Sequence, residues 1–154
     1  MILAIDPGNE QSAYALLNPD LSIKRCGILP NDNVLSVIAG TIYGQPEVEI
    51  AIEMIDSYGM AVGKTVFDTC LWIGRFIQEA YPAEVTLIYR KDEKMALCGS
   101  MRAKDGNIRQ ALIDRFGPVG TKKDPGWSYG VKADIWAACA VGVTYHDLYK
   151  GGER

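Results

Sequence analysis

The segment from residue 2 to residue 17 constrains the fold most strongly, because two apolar runs flank a short polar break. Residues 2–5 and 13–17 form the runs, and Asp6, Pro7 and Gly8 begin the break. Short apolar runs bounded by Pro and Gly are typical of buried strands joined by a turn. The sequence therefore predicts an antiparallel hairpin whose first strand ends at Asp6. A carboxylate there is either a turn former or a ligand at the rim of the sheet.

The next segments predict two further strands with a helix between them. Residues 21–29 form a third strand that completes a meander, and residues 31–44 form a helix whose cap lies in Asn31, Asp32 or Asn33. Residues 47–55 predict the fourth strand. Its middle is continuously apolar, as in a central strand covered on both faces, and Glu53 follows that run. Glu53 thus repeats the position of Asp6 at the end of a buried strand.

The second half of the chain predicts helices and one more strand. A long helix spans about residues 61–80, and its apolar residues are interpreted as core: Val62, Val66, Phe67, Cys70, Leu71, Ile73, Phe76 and Ile77. Residues 84–89 predict the fifth strand, residues 103–116 an amphipathic helix and residues 117–130 a surface loop. The last helix runs from about Val131 to Tyr149. Its small residues predict close packing on the sheet, which would bring Asp134 to a buried position near the strand ends.

Length and composition are those of an ordinary globular domain, so we expect one domain over residues 1–154. The N-terminal apolar run lacks a basic flank and ends at Asp6, which argues against a signal peptide, and no run is long enough to cross a bilayer. The cysteines are widely spaced among apolar neighbours, which is typical of reduced thiols. These features predict a cytoplasmic protein, of a bacterium or a phage-infected cell, without a membrane partner.

Charge is distributed unevenly along the chain, although the net charge is only −3. Between residues 90 and 132 there are ten basic and five acidic residues, whereas the remainder of the chain carries a net charge of −8. This pattern is compatible with a basic binding face beside an acidic, cation-binding site. An ordinary solvated, charged face explains the same distribution equally well.

Three carboxylates, those of Asp6, Glu53 and Asp134, each adjoin an apolar element. An unpaired charge buried there would cost several kcal/mol, roughly, and metal coordination removes that cost. Ligand sets made only of oxygen select hard cations such as Mg²⁺ or Mn²⁺. Two such ions can activate a water and stabilise the leaving oxygen of a phosphodiester. The three acids therefore predict a catalytic site with two Mg²⁺ ions, for which Mn²⁺ can substitute.

The order of elements and acids resembles the ribonuclease H-like fold and, within it, the RuvC family of Holliday junction resolvases, especially their phage-encoded relatives. Four pieces carry the resemblance: Ala4 to Gly8 with Ser12, Ile52-Glu53 before a loop and long helix, Gly99 to Gln110, and Ala133 to Ala138. The resemblance implies an α/β fold with a five-stranded mixed sheet, in which three antiparallel strands precede parallel ones and helices cover both faces. It also implies that Asp6, Glu53 and Asp134 are catalytic metal ligands.

The family usually carries another acid three residues before the last one, and here that position is Val131. Either three acids suffice or a loop acid such as Asp105 or Asp124 approaches the site. An aromatic wedge is expected after the second acid, for which Tyr58 is the nearest residue. Basic residues would hold phosphates, and the candidates are Lys64, Lys91, Lys94, Arg102, Lys104, Arg109, Lys122, Lys123 and Lys132.

The resemblance implies a Mg²⁺-dependent, structure-selective endonuclease that resolves Holliday junctions and other branched DNA. Because a four-way junction needs two symmetric cuts, a homodimer is expected, with its interface on the long helix near Trp72 and Met60. Two alternatives stay open. One is a catalytically inactive module that binds junctions, which the missing acid at Val131 favours. The other is a nucleotide-binding phosphotransferase of the actin and sugar-kinase type, although those folds repeat the unit twice.

Overall fold

A computed structural model describes residues 1–151 of the chain. The five strands are β1 (Ile2–Asp6), β2 (Gln11–Leu17), β3 (Ile23–Pro30), β4 (Glu49–Met54) and β5 (Val85–Tyr89). They form one sheet in the order β3-β2-β1-β4-β5. The β1–β2 and β2–β3 pairs are antiparallel, whereas the β1–β4 and β4–β5 pairs are parallel. The mixed sheet predicted from the sequence is therefore confirmed.

Helices pack on both faces of the sheet, as predicted. Their bounds are α1 (Asn31–Gly44), α2 (Lys64–Ala80), α3 (Arg90–Cys98), α4 (Asp105–Phe116) and α5 (Ile135–Tyr149). Helices α1 and α2 contact each other and cover one face, while α5 crosses β1, β2 and β4 on the other face and is itself contacted by α3 and α4. No helix within residues 1–151 is long and apolar enough to cross a membrane.

Alternating side chains of β1 divide the buried residues into two cores. Leu3 and Ile5 pack in the core beneath α1 and α2, whereas Ile2 and Ala4 pack in the core beneath α5. Successive side chains of a strand point to opposite faces, so a strand buried on both faces must be apolar throughout. That requirement explains the unbroken apolar run before Asp6.

Helix α5 lies close to the sheet because both surfaces carry small side chains. The core beneath α5 contains several alanines of the sheet and of the helix: Ala4, Ala13, Ala15, Ala51, Ala138 and Ala140. At Gly142 the approach is very close, since an added Cβ would lie 2.7 Å from Leu17 Cδ1 and 3.1 Å from Ala4 Cβ. Contacts this short are repulsive, so the helix fits the sheet only without a side chain at Gly142.

The buried face of α2 differs from the prediction. The helix begins at Lys64, and its buried residues are Thr69, Ile73, Phe76 and Ala80. Phe67 and Leu71, expected beside the core, are 61% and 69% exposed. Helix α2 carries apolar residues on more than one face, and periodicity alone does not tell which of them meets the sheet. The buried set keeps helical spacing, rotated away from the predicted stripe.

Candidate active site

Asp6 and Glu53 lie side by side where β1 and β4 end. The two strands are parallel, and their register pairs Ile5 with Ile52, so the next residue of each strand reaches the same edge of the sheet. Both carboxylates are half-buried, in contrast to the fully buried Ile5 and Ile52 that precede them. Two strands that run in the same direction thus bring together two acids that are far apart in the sequence.

A buried hydrogen-bond network holds the turn that follows Asp6. The Gly8 N–H donates to Ser12 Oγ (3.0 Å), and the Ser12 hydroxyl donates to Asn31 Oδ1 (2.6 Å). Asn31 Nδ2 then donates to the Gly8 carbonyl (2.9 Å), which closes the ring. An added Cβ at Gly8 would lie 2.3 Å from the Gln11 carbonyl oxygen, so the turn requires glycine there. The expected cap role is wrong for Asn31, which is the first residue of α1 and uses its side chain in this network instead.

The close approach of two acids changes the protonation of Asp6. Burial is the largest cause that raises its pKa, and a side-chain hydrogen bond with Glu53 together with the charges of Glu53, Asp134 and Glu93 raises it further, to about 9. Two neighbouring carboxylates that leave water cannot both stay ionised without a compensating cation. Burial and the neighbouring carboxylates therefore favour the protonated form of Asp6.

Glu93 is a further buried acid beside this pair, and no sequence pattern singled it out. It lies in the first turn of α3, a helix that begins directly after β5 and that was not predicted, and its side chain is fully buried. Glu93 Oε1 has no hydrogen-bond partner within residues 1–151. Burial is the largest cause that raises the pKa of Glu93, to about 8, and the charge of Glu53 acts in the same direction, while Arg90 lowers it.

Arg90 is the cation that contacts Glu93. Its Nη1 lies 2.6 Å from Glu93 Oε2, and its Nη2 contacts the exposed carboxylate of Asp105. Arg90 also lines a cleft of about 260 Å³, together with Asp6, Pro7, Glu53, Met54, Ile55, Asp56 and Tyr58. Arg90 therefore lines the cleft that holds Asp6 and Glu53 and also contacts Asp105, the first residue of α4.

Asp134 lies immediately before α5, which begins at Ile135 and not near Val131. The expectation of a buried position was wrong, because Asp134 is exposed at the N-terminal end of the helix. Its charge still contributes to the raised pKa of Asp6. The helix dipole favours a negative charge at this end of α5.

Neither loop acid approaches Asp6 and Glu53 in the way the sequence allowed. Asp105 is exposed and pairs with Arg90, and Asp124 is exposed in a turn where its N–H donates to the Thr121 carbonyl. Val131 packs at the border of the core beneath α5. The acid that adjoins Asp6 and Glu53 in addition to Asp134 is Glu93.

The predicted phosphate-binding residues fall into two groups. Lys132 precedes Asp134 by two residues, and the guanidinium of Arg109 lies 4.8 Å from the ring centre of Trp136, so both adjoin the start of α5. The others lie elsewhere on the surface: Lys91 and Lys94 in α3, Arg102 and Lys104 in the loop before α4, Lys122 and Lys123 on the turn bounded by the Gly120–Pro125 bridge, and Lys64 at the start of α2 in an ion pair with Asp68.

Tyr58, the candidate for an aromatic wedge, lines the same cleft as the second acid, Glu53. Its side chain is 56% exposed, and its backbone adopts a φ of 51°. The Tyr58 N–H donates to Asp56 Oδ1 at 2.9 Å, which stabilises this left-handed turn. The aromatic ring is therefore presented to solvent at the mouth of the cleft.

The donor set suits a hard cation, but the acids are not gathered around one point. Within residues 1–151, no group of three Asp, Glu, His or Cys side chains is close enough to enclose a metal ion. The available donors are carboxylate oxygens, which Mg²⁺ and Mn²⁺ prefer. A bound cation would give the buried, unpartnered Glu93 Oε1 a partner and would offset the neighbouring charges that raise the pKa of Asp6. The chemistry of the residues therefore fits Mg²⁺.

The sequence matches no family model and no curated protein. Similar folds occur among solved structures. A structure of Thermus thermophilus RuvC in complex with a Holliday junction substrate superposes with a TM-score of 0.73 at 12% identity, covering 98% of this chain and 95% of that one. A second T. thermophilus RuvC structure gives a TM-score of 0.67 at 14% identity, covering 98% and 96%. The chain therefore has the ribonuclease H-like fold in the form found in RuvC, as expected from the sequence.

Proposed function

We propose that the protein is a Mg²⁺-dependent endonuclease that resolves Holliday junctions and other branched DNA. The observation that carries the proposal is the meeting of Asp6 and Glu53 at adjacent strand ends, with Asp134 beside them, in a fold shared along almost its whole length with RuvC. The RuvC structure named above holds a Holliday junction, which supports branched DNA as the substrate.

Asp6, Glu53 and Asp134 are the residues that would hold two Mg²⁺ ions. The ions would supply an activated water and stabilise the leaving oxygen of the phosphodiester. Asp6 would hold a cation as a carboxylate, because a positive charge there would offset the burial and the neighbouring charges that raise its pKa. The turn fixed by Ser12 and Asn31 would keep Asp6 in place as a ligand.

The basic residues near α3, α4 and the start of α5 would hold the DNA backbone. Arg109 and Lys132 are the best placed, because both adjoin the end of α5 that carries Asp134. Such contacts give affinity that falls with salt and depends little on base sequence. Tyr58, exposed at the cleft, would be the side chain that stacks against an opened base pair.

Cleavage of a labelled four-way junction tests this function. The protein is incubated with the junction and with a matched linear duplex in Mg²⁺, Mn²⁺ or EDTA. We expect paired symmetric nicks in the junction alone, none in EDTA, and none with Asp6→Asn or Glu53→Gln, although both variants still bind the junction. Glu10→Gln, at an exposed acid in the turn after Asp6, is the matched control and should cut normally. A normal rate for Asp6→Asn would refute the assignment.

A catalytically inactive junction-binding module is the second candidate. The observation in its favour is that no three metal-ligating side chains of residues 1–151 already surround a common point. It predicts tight binding of the junction with no cleavage in any metal, and equal binding by the wild type and Asp6→Asn. The same experiment therefore separates the two candidates.

We also propose that the protein acts as a homodimer, with the interface on α2. Phe67 and Leu71, one helical turn apart, are both largely exposed, whereas Trp72, which was predicted to lie at the interface, is half-buried against Phe76 and Arg75. Met60 is exposed in the loop before the helix. Light scattering should give the mass of a dimer for the wild type and of a monomer for Leu71→Glu. A monomer alone at micromolar concentration, with and without junction DNA, would refute the dimer.

A further inference from the structure

Glu93 combines three properties that a structural acid rarely shows together. Its side chain has no exposure to solvent, it lies close enough to Asp6 and Glu53 for their charges to interact, and one of its carboxylate oxygens has no partner in the described part of the chain. Buried polar atoms are nearly always satisfied, and one that is left without a partner carries a free-energy penalty. A buried carboxylate with one free oxygen therefore needs an explanation beyond packing.

Topology explains how Glu93 reaches the acids. Strand β5 is parallel to β4, and its register pairs Ile88 with Glu53 and Tyr89 with Met54, so β5 ends at the same edge of the sheet as Glu53. Helix α3 begins at the next residue, and Asp92 Oδ2 accepts the Tyr89 N–H at 3.0 Å, which fixes the first turn. Three parallel strands thus deliver Asp6, Glu53 and Glu93 to one edge.

Arg90 holds the carboxylate in one orientation. Its guanidinium bonds Oε2 of Glu93 at 2.6 Å and also contacts Asp105 at the start of α4. With Oε2 engaged in this way, the atom that remains available is Oε1, the oxygen for which residues 1–151 offer no partner. A ligating carboxylate whose second oxygen is fixed by a hydrogen bond is the usual arrangement at metal sites.

We propose that Glu93 is the fourth carboxylate of the metal centre, binding through Oε1, and that Arg90 is the residue that positions it. Glu93 takes the role for which the chain has only Val131 at the expected place on the last helix. The assignment rests on the proposed metal-dependent function and adds a ligand that comes from a different element, α3. Asp105 belongs to the same arrangement only through Arg90, at the solvent side.

Mn²⁺ binding measured by calorimetry tests the assignment without any DNA. We compare the wild type with Glu93→Gln, which keeps the shape of the side chain but removes its charge. Glu10→Gln is the matched control, because Glu10 is an exposed acid outside the proposed set of ligands and away from Arg90's ion pairs. We expect Glu93→Gln to weaken Mn²⁺ binding at least about tenfold, the scale seen when groups supporting a metal site are lost, and Glu10→Gln to stay within about twofold. The rise in melting temperature on adding Mn²⁺ should be smaller for Glu93→Gln than for the wild type and the control, because ligands that bind only the native state raise the melting temperature.

Folding of the variants is checked by melting in EDTA. If Glu93→Gln does not fold, Glu93→Asp serves instead, since it keeps the charge, shortens the reach and should also lose about tenfold in affinity. Wild-type affinity in a folded Glu93 variant would overturn the assignment and leave Glu93 as the partner of Arg90 alone. Asp6→Asn separates this failure from failure of the proposed function. Loss of Mn²⁺ binding in Asp6→Asn but not in Glu93→Gln refutes the Glu93 assignment only, whereas a wild type that binds no Mn²⁺ refutes both.

Discussion

Replacing Asn31 with alanine should destabilise the protein far more than its place at the start of a surface helix suggests. The Asn31 side chain is 1% exposed and makes two hydrogen bonds, one from the Ser12 hydroxyl and one to the Gly8 carbonyl. Asn31→Ala removes both of these and leaves the buried Ser12 hydroxyl without its acceptor. The backbone bond from the Asn31 N–H to the Glu10 carbonyl remains. Asn31→Ala should therefore destabilise the turn that follows Asp6.

The magnitude follows from these contacts. Each lost hydrogen bond contributes about 1 kcal/mol net, and a buried group left unsatisfied adds about 1–3 kcal/mol, so we expect a total of about 3–5 kcal/mol. A total of that size is a large part of the stability of a domain, which is about 5–15 kcal/mol. Urea unfolding is the assay, and with a slope of about 2 kcal/mol per molar the midpoint should fall by about 1.5–2.5 M.

Asn33→Ala is the matched control, because Asn33 lies in the same turn of α1 and is exposed. Surface substitutions of this kind change stability by about 0.5 kcal/mol or less. If Asn31→Ala and Asn33→Ala unfold at the same urea concentration, the network does not hold the turn. Ser12→Ala should cost less than Asn31→Ala, since the bond from Asn31 to the Gly8 carbonyl survives.

Three further changes test other parts of the fold. Gly142→Ala should destabilise by about 1–3 kcal/mol, because the new Cβ overlaps Leu17, and circular dichroism melting would show it; an unchanged melting temperature would refute the close packing of α5. Burial raises the pKa of Asp147, but hydrogen bonds from Arg115 and His146, together with their charges, outweigh burial and lower that pKa. The ionised Asp147 therefore stabilises the fold above the ordinary Asp pKa, and this stabilisation disappears as the pH falls through the lowered pKa. Arg115→Gln should therefore lower stability at pH 7 and leave it nearly unchanged at low pH, as measured by urea unfolding at both pH values; an equal loss at both would contradict the ion pair. Trp127→Phe should cost about 1–2 kcal/mol, because the indole N–H donates to the Leu21 carbonyl at 2.7 Å; the test is urea unfolding, and wild-type stability would show that this bond contributes nothing.

The sheet could be predicted from the sequence because its central strands β1, β2 and β4 are largely buried and their apolar runs are local signals. Residues 2–5 and 50–52 have this pattern, and the acid after each run marks the edge where the strand ends. The meeting of Asp6 and Glu53 at one edge depends in addition on β1 and β4 being parallel, which the resemblance implied and the apolar runs alone do not specify.

The burial of Glu93 could not be predicted, because the residues next to it in the sequence are charged. It lies in the charged sequence Arg90-Lys91-Asp92-Glu93-Lys94, which is typical of an exposed segment. Its burial comes from the direction in which α3 leaves β5 and from the contact of α3 with α5, both of which are tertiary properties. One local signal was present: Asp92, three residues after Tyr89, is placed as in a capping box and indicates that a helix begins there.

The prediction that Asp134 is buried was wrong for a different reason. The helical pattern of small residues could be read from the sequence, but the boundary of the helix could not, since Val131, Lys132 and Ala133 continue the pattern without being helical. Ala133 adopts a φ of 46°, so the chain changes direction just before α5. That change leaves Asp134 exposed at the end of the helix instead of buried within it.

The close fit of α5 to the sheet has a consequence for how the protein opens. Because small side chains bring α5 close to the sheet, with Gly142 against Leu17 and Ala4, α5 cannot separate from β1 by a small local movement, and both should exchange their amide hydrogens only through global unfolding. The elements that carry Asp6 and Asp134 then form one cooperative unit.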